Sequence, residues 1–212
     1  MMNVILVNGS PHAHGCTYVA LEEVANTLNA EGIATQIFQL GTKPLTGCTA
    51  CKSCAKIGHC IFPDSVNEFL DLAQAADGFV FGSPVHYAAA GGAITSFMDR
   101  IFYADSHAGR NTFYLKPAAA IVSARRAGTT AAFDQLNKYF TIAQMPVISS
   151  RYWNMVHGVT PEDVKKDLEG LQIMRILARN MAWFLKCKEA GIKAGVQFPE
   201  KEEGIHTNFI HD

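Results

Sequence analysis

Apolar residues in this chain fall into short continuous runs separated by longer amphipathic stretches. Val4-Ile5-Leu6-Val7 is such a run, suited to a strand buried on both faces. Asn8-Gly9-Ser10-Pro11 ends it in a turn, and Tyr18 to Glu31 then carries Val19, Leu21, Val24, Ala25 and Leu28 at helical spacing before Gly32. Thr35 to Leu40 reads as a second strand. Residues 41–63 break the rhythm with Lys43-Pro44, Gly47, Gly58 and Pro63, after which Asp64 is placed to cap a helix burying Val66, Phe69, Leu70, Leu72 and Ala73. A third strand is predicted over Gly78–Gly82, then a loop through Ser83 to Tyr87, a small-residue stretch over 88–92 and a helix from Ala93 to about Phe102. Ala104 to Lys116 reads as surface loop. Ala118 to Val122 is a fourth, wholly apolar strand, followed by a small polar loop from Ser123 and a helix over Ala131–Ile142. Met145 to Ser150 is assigned as the fifth strand, with a wet connection through Tyr152, Trp153 and His157. The last helix is expected to start at Thr160-Pro161 and run to about Lys186.

Five strands alternating with helices predict an α/β domain, a doubly wound parallel sheet with helices on both faces. One domain over 1–188, with a cysteine-rich loop at 44–63, accounts for the pattern, and 189–212 reads as an irregular tail. At 212 residues and 49% hydrophobic, the chain is long enough to bury one full core.

A net charge of −1 without basic clusters argues against nucleic acid or an anionic membrane as partner, leaving a small molecule. No run approaches the roughly 18 apolar residues of a membrane span, and no basic segment precedes an apolar one at the N-terminus, so a cytoplasmic location is expected. Six cysteines change the picture. Cys16 and Cys187 stand alone, whereas Cys48, Cys51, Cys54 and Cys60 crowd one loop, a distribution pointing to metal or redox chemistry rather than a disulfide framework.

The turn after the first strand has the makings of a phosphate seat. Backbone N–H groups and the hydroxyls of Ser10 and Thr17, with His12 beside them, meet at a helix N-terminus. It carries neither the G-x-G-x-x-G of dinucleotide domains nor the G-x-x-x-x-G-K-[ST] of P-loops, and a plain tight βα turn explains the glycines equally well. Pro84, Val85, His86 and Tyr87 lie where open α/β sheets bind ligands, in a loop too aromatic for a simple turn, and suit the wall of a site for a flat aromatic ligand. The cysteines run C-x2-C-x2-C-x5-C. Structural zinc sites pair two knuckles separated by a longer segment, whereas a tight run of three with a fourth nearby resembles a [4Fe–4S] loop. Zinc and free thiols stay open beside it.

Taken together, Gly9-Ser10-Pro11 with Thr17, Ser83-Pro84-Val85-His86-Tyr87 followed by Phe97-Met98-Asp99-Arg100, Ser123 to Gly128, and the four cysteines followed by Asp64 resemble the NADPH-dependent FMN reductase branch of the flavodoxin-like flavoproteins, and within it the iron–sulfur flavoprotein group. The resemblance implies a flavodoxin-like sheet of order 2-1-3-4-5. It implies FMN, held at its phosphate by Ser10, His12, Cys16 and Thr17, along its ring and ribityl by Pro84, Val85, His86 and Tyr87, and at the ring's other edge by Ser123, Ala124, Arg125 and Gly128. The four cysteines become ligands of a [4Fe–4S] cluster, and the activity becomes electron transfer from NAD(P)H to a quinone, flavin, azo, metal or protein acceptor, with no obligatory catalytic acid or base, in a homodimer or homotetramer. His12 and Cys16 stand where the family usually has a basic residue and Asn, His86 where it usually has Tyr, and Ala124-Arg125-Arg126 where its third loop is Gly-rich. Two other readings remain: a flavodoxin-type electron carrier without its own NAD(P)H activity, and a flavin-free metal or thiol sensor built on the cysteine loop.

Overall fold

The structure is a computed structural model and describes residues 1–202, 204–207 and 209. Five parallel strands form the sheet: β1 (Asn3–Asn8), β2 (Ala34–Gln39), β3 (Gly78–His86), β5 (Ala118–Ala124) and β6 (Met155–His157). They lie in the order β2-β1-β3-β5-β6, and a two-residue strand β4 (Ala89–Ala90) folds back antiparallel on the end of β3. Counted without β4, the parallel strands have the expected order 2-1-3-4-5. Val4 sits between Thr35 and Gly78, and Phe79 beside Ala118. Alternate residues therefore serve opposite faces. Val4, Leu6, Val80, Ala119 and Ile121 pack under α1 (Cys16–Ala30) and α7 (Leu168–Lys193). Ile5, Val7, Phe79, Phe81 and Ala120 pack under α3 (Ser65–Gln74), α4 (Gly92–His107) and α5 (Thr129–Ile142). On this second face Phe69, Phe79, Phe81, Phe97, Phe113 and Phe140 are all fully buried. Each such side chain removed from water contributes about 1.5–3 kcal/mol.

Several boundaries differ from the sequence reading. Met145–Ser150 is not the fifth strand: only Val147 bridges to Ala118, and the strand proper is Met155–His157, inside the stretch expected to be a connection. The fifth position in the sheet is filled twice. Pro146 and Ile148 bond the start of β5 through Ala118, the chain leaves over 149–153, and Asn154 returns to accept from the Val122 amide and to donate its side-chain amide to Ala120 O. A three-residue strand is too short to show alternation. The last helix is also interrupted. Thr160 and Asp163 make a reciprocal capping box for the single turn α6 (Pro161–Val164), and Asp167 then caps α7 afresh at Gly170 N. Helix α7 continues to Lys193, beyond the 188/189 boundary; positions 203, 208 and 210–212 of the expected tail lie outside the described residues. β3 extends past Gly82 to His86, and α4 past Phe102 to His107, into the segment read as surface loop. Asp64 caps α3 as expected, accepting from Val66 N.

Candidate functional site

Because the strands run parallel, the ends of β1, β3 and β5 open on one rim of the sheet, with the turns that follow them side by side. The turn after β1 is held from below. The Asn8 side chain accepts from Ser10 N and donates to Gln39 Oε1, while Gln39 Nε2 donates to Ser10 O at 2.7 Å. Ser10 Oγ accepts from His12 N. Helix α1 starts at Gly15 with no side-chain cap and no acid in its first turn, and the amides of Cys16, Thr17 and Tyr18 find no acceptor among the described residues. A first turn of this kind favours an anion. Thr17, 1% exposed, lies behind it with Oγ1 at 2.8 Å from Oγ of Ser123, itself 5% exposed. The first turn of α1 and the end of β5, which runs on through Ser123 to Ala124 where a loop was expected, thus meet through two buried hydroxyls, and Gly82 makes the contact possible: a Cβ there would lie 2.9 Å from the Thr17 methyl.

The second turn is a hairpin. Val85 and His86 pair with Ala90 and Ala89, and Tyr87 and Ala88 make the reversal with φ of 48° and 60°. Gly128, at φ 94°, presses on this hairpin so closely that a Cβ would lie 2.6 Å from Ala88 Cα. Only glycine meets both demands. Pro84 is half-buried beside Ser123, with Val85 next to it, while His86 and Tyr87 reach solvent. Gly9, Pro11, Pro84, His86 and Gly91 line an open cleft of about 420 Å³ together with Lys43, Pro44 and Leu45 of the loop after β2 and Ser96 of α4. Of the twelve residues expected to touch the cofactor, Ser10, Thr17, Pro84, Val85, Ser123, Ala124 and Gly128 form the packed rim. His12 and Arg125 point to solvent, and Cys16 is half-buried, its thiol donating weakly to Gly158 O at 3.8 Å and pushed up in pKa by that burial. The donor-rich anion seat, the small-residue rim and the cleft fit a flavin mononucleotide.

The four crowded cysteines line one small cavity, together with Phe62, Arg100 and Tyr103. Two non-glycine residues in the left-handed region, Ala50 and Lys52 on either side of Cys51, coil the loop around it. Cys54 is the first residue of the one-turn helix α2 (Cys54–Ile57) and is buried, which pushes its thiol up; the Ser53 side chain and amide pull the exposed Cys51 thiol down. Among the described residues no three His, Cys, Asp or Glu side chains converge on a point that one metal ion would occupy. The four cysteines share the lining of this one cavity, and that donor set is chemically suited to a cluster, whose ligands attach to different irons.

Neither Asn67 nor the full role of Arg100 was visible in the pattern. Asn67 accepts from Cys60 N and donates to Cys60 O and Phe62 O, so α3 grips the backbone of the fourth cysteine. Arg100, 1% exposed, bonds Asp64 with two nitrogens at 2.6 and 2.9 Å and approaches Cys60 Sγ with Nε and NH2 at 3.3 and 3.1 Å. Burial alone would lower its pKa, but the bonds to Asp64 and Cys60 reverse that and hold the guanidinium charged. In the sequence, Arg100 and Asp64 stand out only as part of the motifs that carry the resemblance, and Asn67 only by following Cys60 closely. Asn8 and Gln39 were likewise unremarkable polar strand ends.

Residues 2–160 match the profile of the family described as NADPH-dependent FMN reductase. An iron–sulfur flavoprotein of Methanocaldococcus jannaschii is 31% identical over 194 residues, covering 87% of this chain and 98% of that protein. Among solved structures, RosB with a bound 8-demethyl-8-formylriboflavin-5'-phosphate superposes with a TM-score of 0.68 at 13% identity, over 99% of this chain and 92% of that one. The Paracoccus denitrificans NAD(P)H:(acceptor) oxidoreductase FerB gives 0.63 at 14% identity, over 88% and 98%. At these identities the structures speak for the flavodoxin-like fold alone.

Proposed function

Since the chain belongs to the NADPH-dependent FMN reductase family of flavoprotein oxidoreductases, we propose that it takes hydride from NAD(P)H and passes the electrons on to a small acceptor or a redox protein, with a [4Fe–4S] cluster in the cysteine loop as the outlet. The observation carrying this is the meeting of the three rim turns through the Thr17–Ser123 hydroxyl pair and the Gly128–Ala88 contact. Bound FMN supplies the redox chemistry, accepting two electrons as hydride and releasing them singly. The chain's part is to hold it. The first-turn amides of α1 and the hydroxyls of Ser10 and Thr17 would take the phosphate, and Lys43 lines the same cleft as Gly9 and Pro11. Pro84 and Val85 offer an apolar edge to the ring, and Ala124 and Gly128 close its far side.

The cluster reading is supported by placement. The loop 41–63 begins as a wall of the cleft and ends around the cysteine cavity, and α4 serves both through Ser96 and Arg100. Those two residues are one helical turn apart, about 6 Å along the axis. Tyr87, Tyr152 and Trp153 leave large aromatic surfaces in solvent, which supports assembly into a homo-oligomer. Among the described residues no helix is long and apolar enough to cross a membrane.

The test is a spectrum and an assay on protein reconstituted with FMN, iron and sulfide under anaerobic conditions. Flavin bands, a broad absorbance near ~400 nm and oxidation of NADPH or NADH without any other protein are expected. Flavin bands without nicotinamide oxidation would mark an electron carrier instead, and absence of flavin would remove the reading altogether.

A further inference from the structure

We propose that Arg100 is a positioning residue for the fourth cysteine: pinned by Asp64, its guanidinium holds Cys60 Sγ toward the other three thiols and, as a fixed positive charge with two N–H groups on that sulfur, raises the reduction potential of the cluster bound there. The inference rests on the cluster reading above and goes beyond it by giving the site a tuning residue.

The geometry separates this from an ordinary buried ion pair. A guanidinium taken out of water needs its charge matched, and Asp64 does that with both oxygens. A structural pair would be complete at that point. Arg100 instead turns two more N–H vectors onto a sulfur, with Nε at 3.3 Å and NH2 at 3.1 Å, while Phe62 covers the guanidinium at 5.0 Å from its ring centre. A neutral thiol is a weak acceptor and a poor use of a buried guanidinium's donors. A sulfur carrying negative charge, as a metal-bound thiolate does, is a good one.

The arrangement is also jointed to the fold on every side. Asp64 holds the guanidinium and caps α3 with the same carboxylate. Three residues on, Asn67 clamps the Cys60 backbone at both its amide and its carbonyl. Cys60 is thus fixed by α3 through its main chain and by α4 through its sulfur, whereas Cys48 and Cys51 are exposed in the coiled part of the loop. Reduction adds one electron, and so one negative charge, to the cluster and its thiolates. A fixed cation and N–H donors on a ligand sulfur favour that added charge, and such outer contacts also hold the ligand in place.

The experiment uses the full chain reconstituted with FMN, iron and sulfide, as wild type, Arg100→Lys and Arg100→Gln, measuring FMN content, iron and sulfide per chain, the midpoint potential by EPR-monitored titration, and the rate of iron loss to a chelator. Both variants should bind FMN as wild type does. Both should show a cluster potential shifted to more negative values, and roughly 10–100-fold faster iron release for Arg100→Gln, with Arg100→Lys between it and wild type because it keeps the charge but loses the fork. A purely structural Arg100 would lower the melting temperature and leave the potential of the loaded variants where it was, which would overturn the proposal while the cluster stands. Should Arg100→Gln not fold, Arg100→Lys decides by the same two readouts. A wild-type chain that binds FMN but takes up no iron and sulfide would overturn the cluster reading itself, and this proposal with it.

Discussion

Asp64 caps a helix and at the same time neutralises the one arginine buried beside the cysteines, so a single carboxylate joins local structure to the candidate cluster site. At this scale the site is a set of small polar groups whose worth comes from what they face. Replacing Ser10 with Ala removes one hydroxyl from the anion seat, and a hydrogen bond to a charged group is worth about 1.5–3 kcal/mol. FMN affinity should fall roughly 10–100-fold, read by quenching of flavin fluorescence on titration. Asn67→Ala deletes the three bonds to Cys60 and Phe62 and leaves part-buried backbone groups unmatched. A loss of about 1–3 kcal/mol in urea unfolding is expected. From the sequence, Asp64 was recognisable because a helix start has a local signature. Asn67 was not, because its partners are fixed by a loop whose path no periodicity describes.

Among the elements, the β3–β4 hairpin departs most from what its residues prefer. Two-residue reversals with both φ positive favour Asn-Gly, yet this one uses Tyr87 and Ala88, and strain at such positions gathers at functional sites. The double change Tyr87→Asn and Ala88→Gly should stabilise the chain by about 1 kcal/mol, visible as a melting-temperature rise of roughly 2–4 °C. A fall in melting temperature would show that Tyr87 makes contacts that outweigh the strain. The strand itself was read as ending at Gly82, although a proline such as Pro84 is tolerated where a ladder partner is missing. It continues because Pro84 comes at the rim, beyond the last partner on the β1 side, where Asn8 pairs with Gly82.

For the molecule as a whole, the two candidate sites share α4 and the loop 41–63 but have no lining residue in common. Cys51 is exposed and apart from the core beneath the sheet, so Cys51→Ser should abolish the absorbance near ~400 nm and the bound iron while FMN content and the unfolding midpoint stay at wild-type values. Joint loss of flavin and iron would mean that the loop and the cleft fold as one unit. The chain's net charge of −1 leaves little overall electrostatic pull on either sign of partner.

By itself the sequence determined the α/β alternation, the parallel sheet, the turn that ends the first strand and the crowding of four cysteines in one loop, because apolar runs, turn residues and spacing are properties of neighbours along the chain. Tertiary structure alone decided the split fifth strand, the contact of Thr17 with Ser123, the fit of Gly128 against Ala88, and the grip of Asn67 and Arg100 on Cys60. Each of these joins residues distant in sequence, whose meeting depends on how helices and strands pack rather than on any local preference.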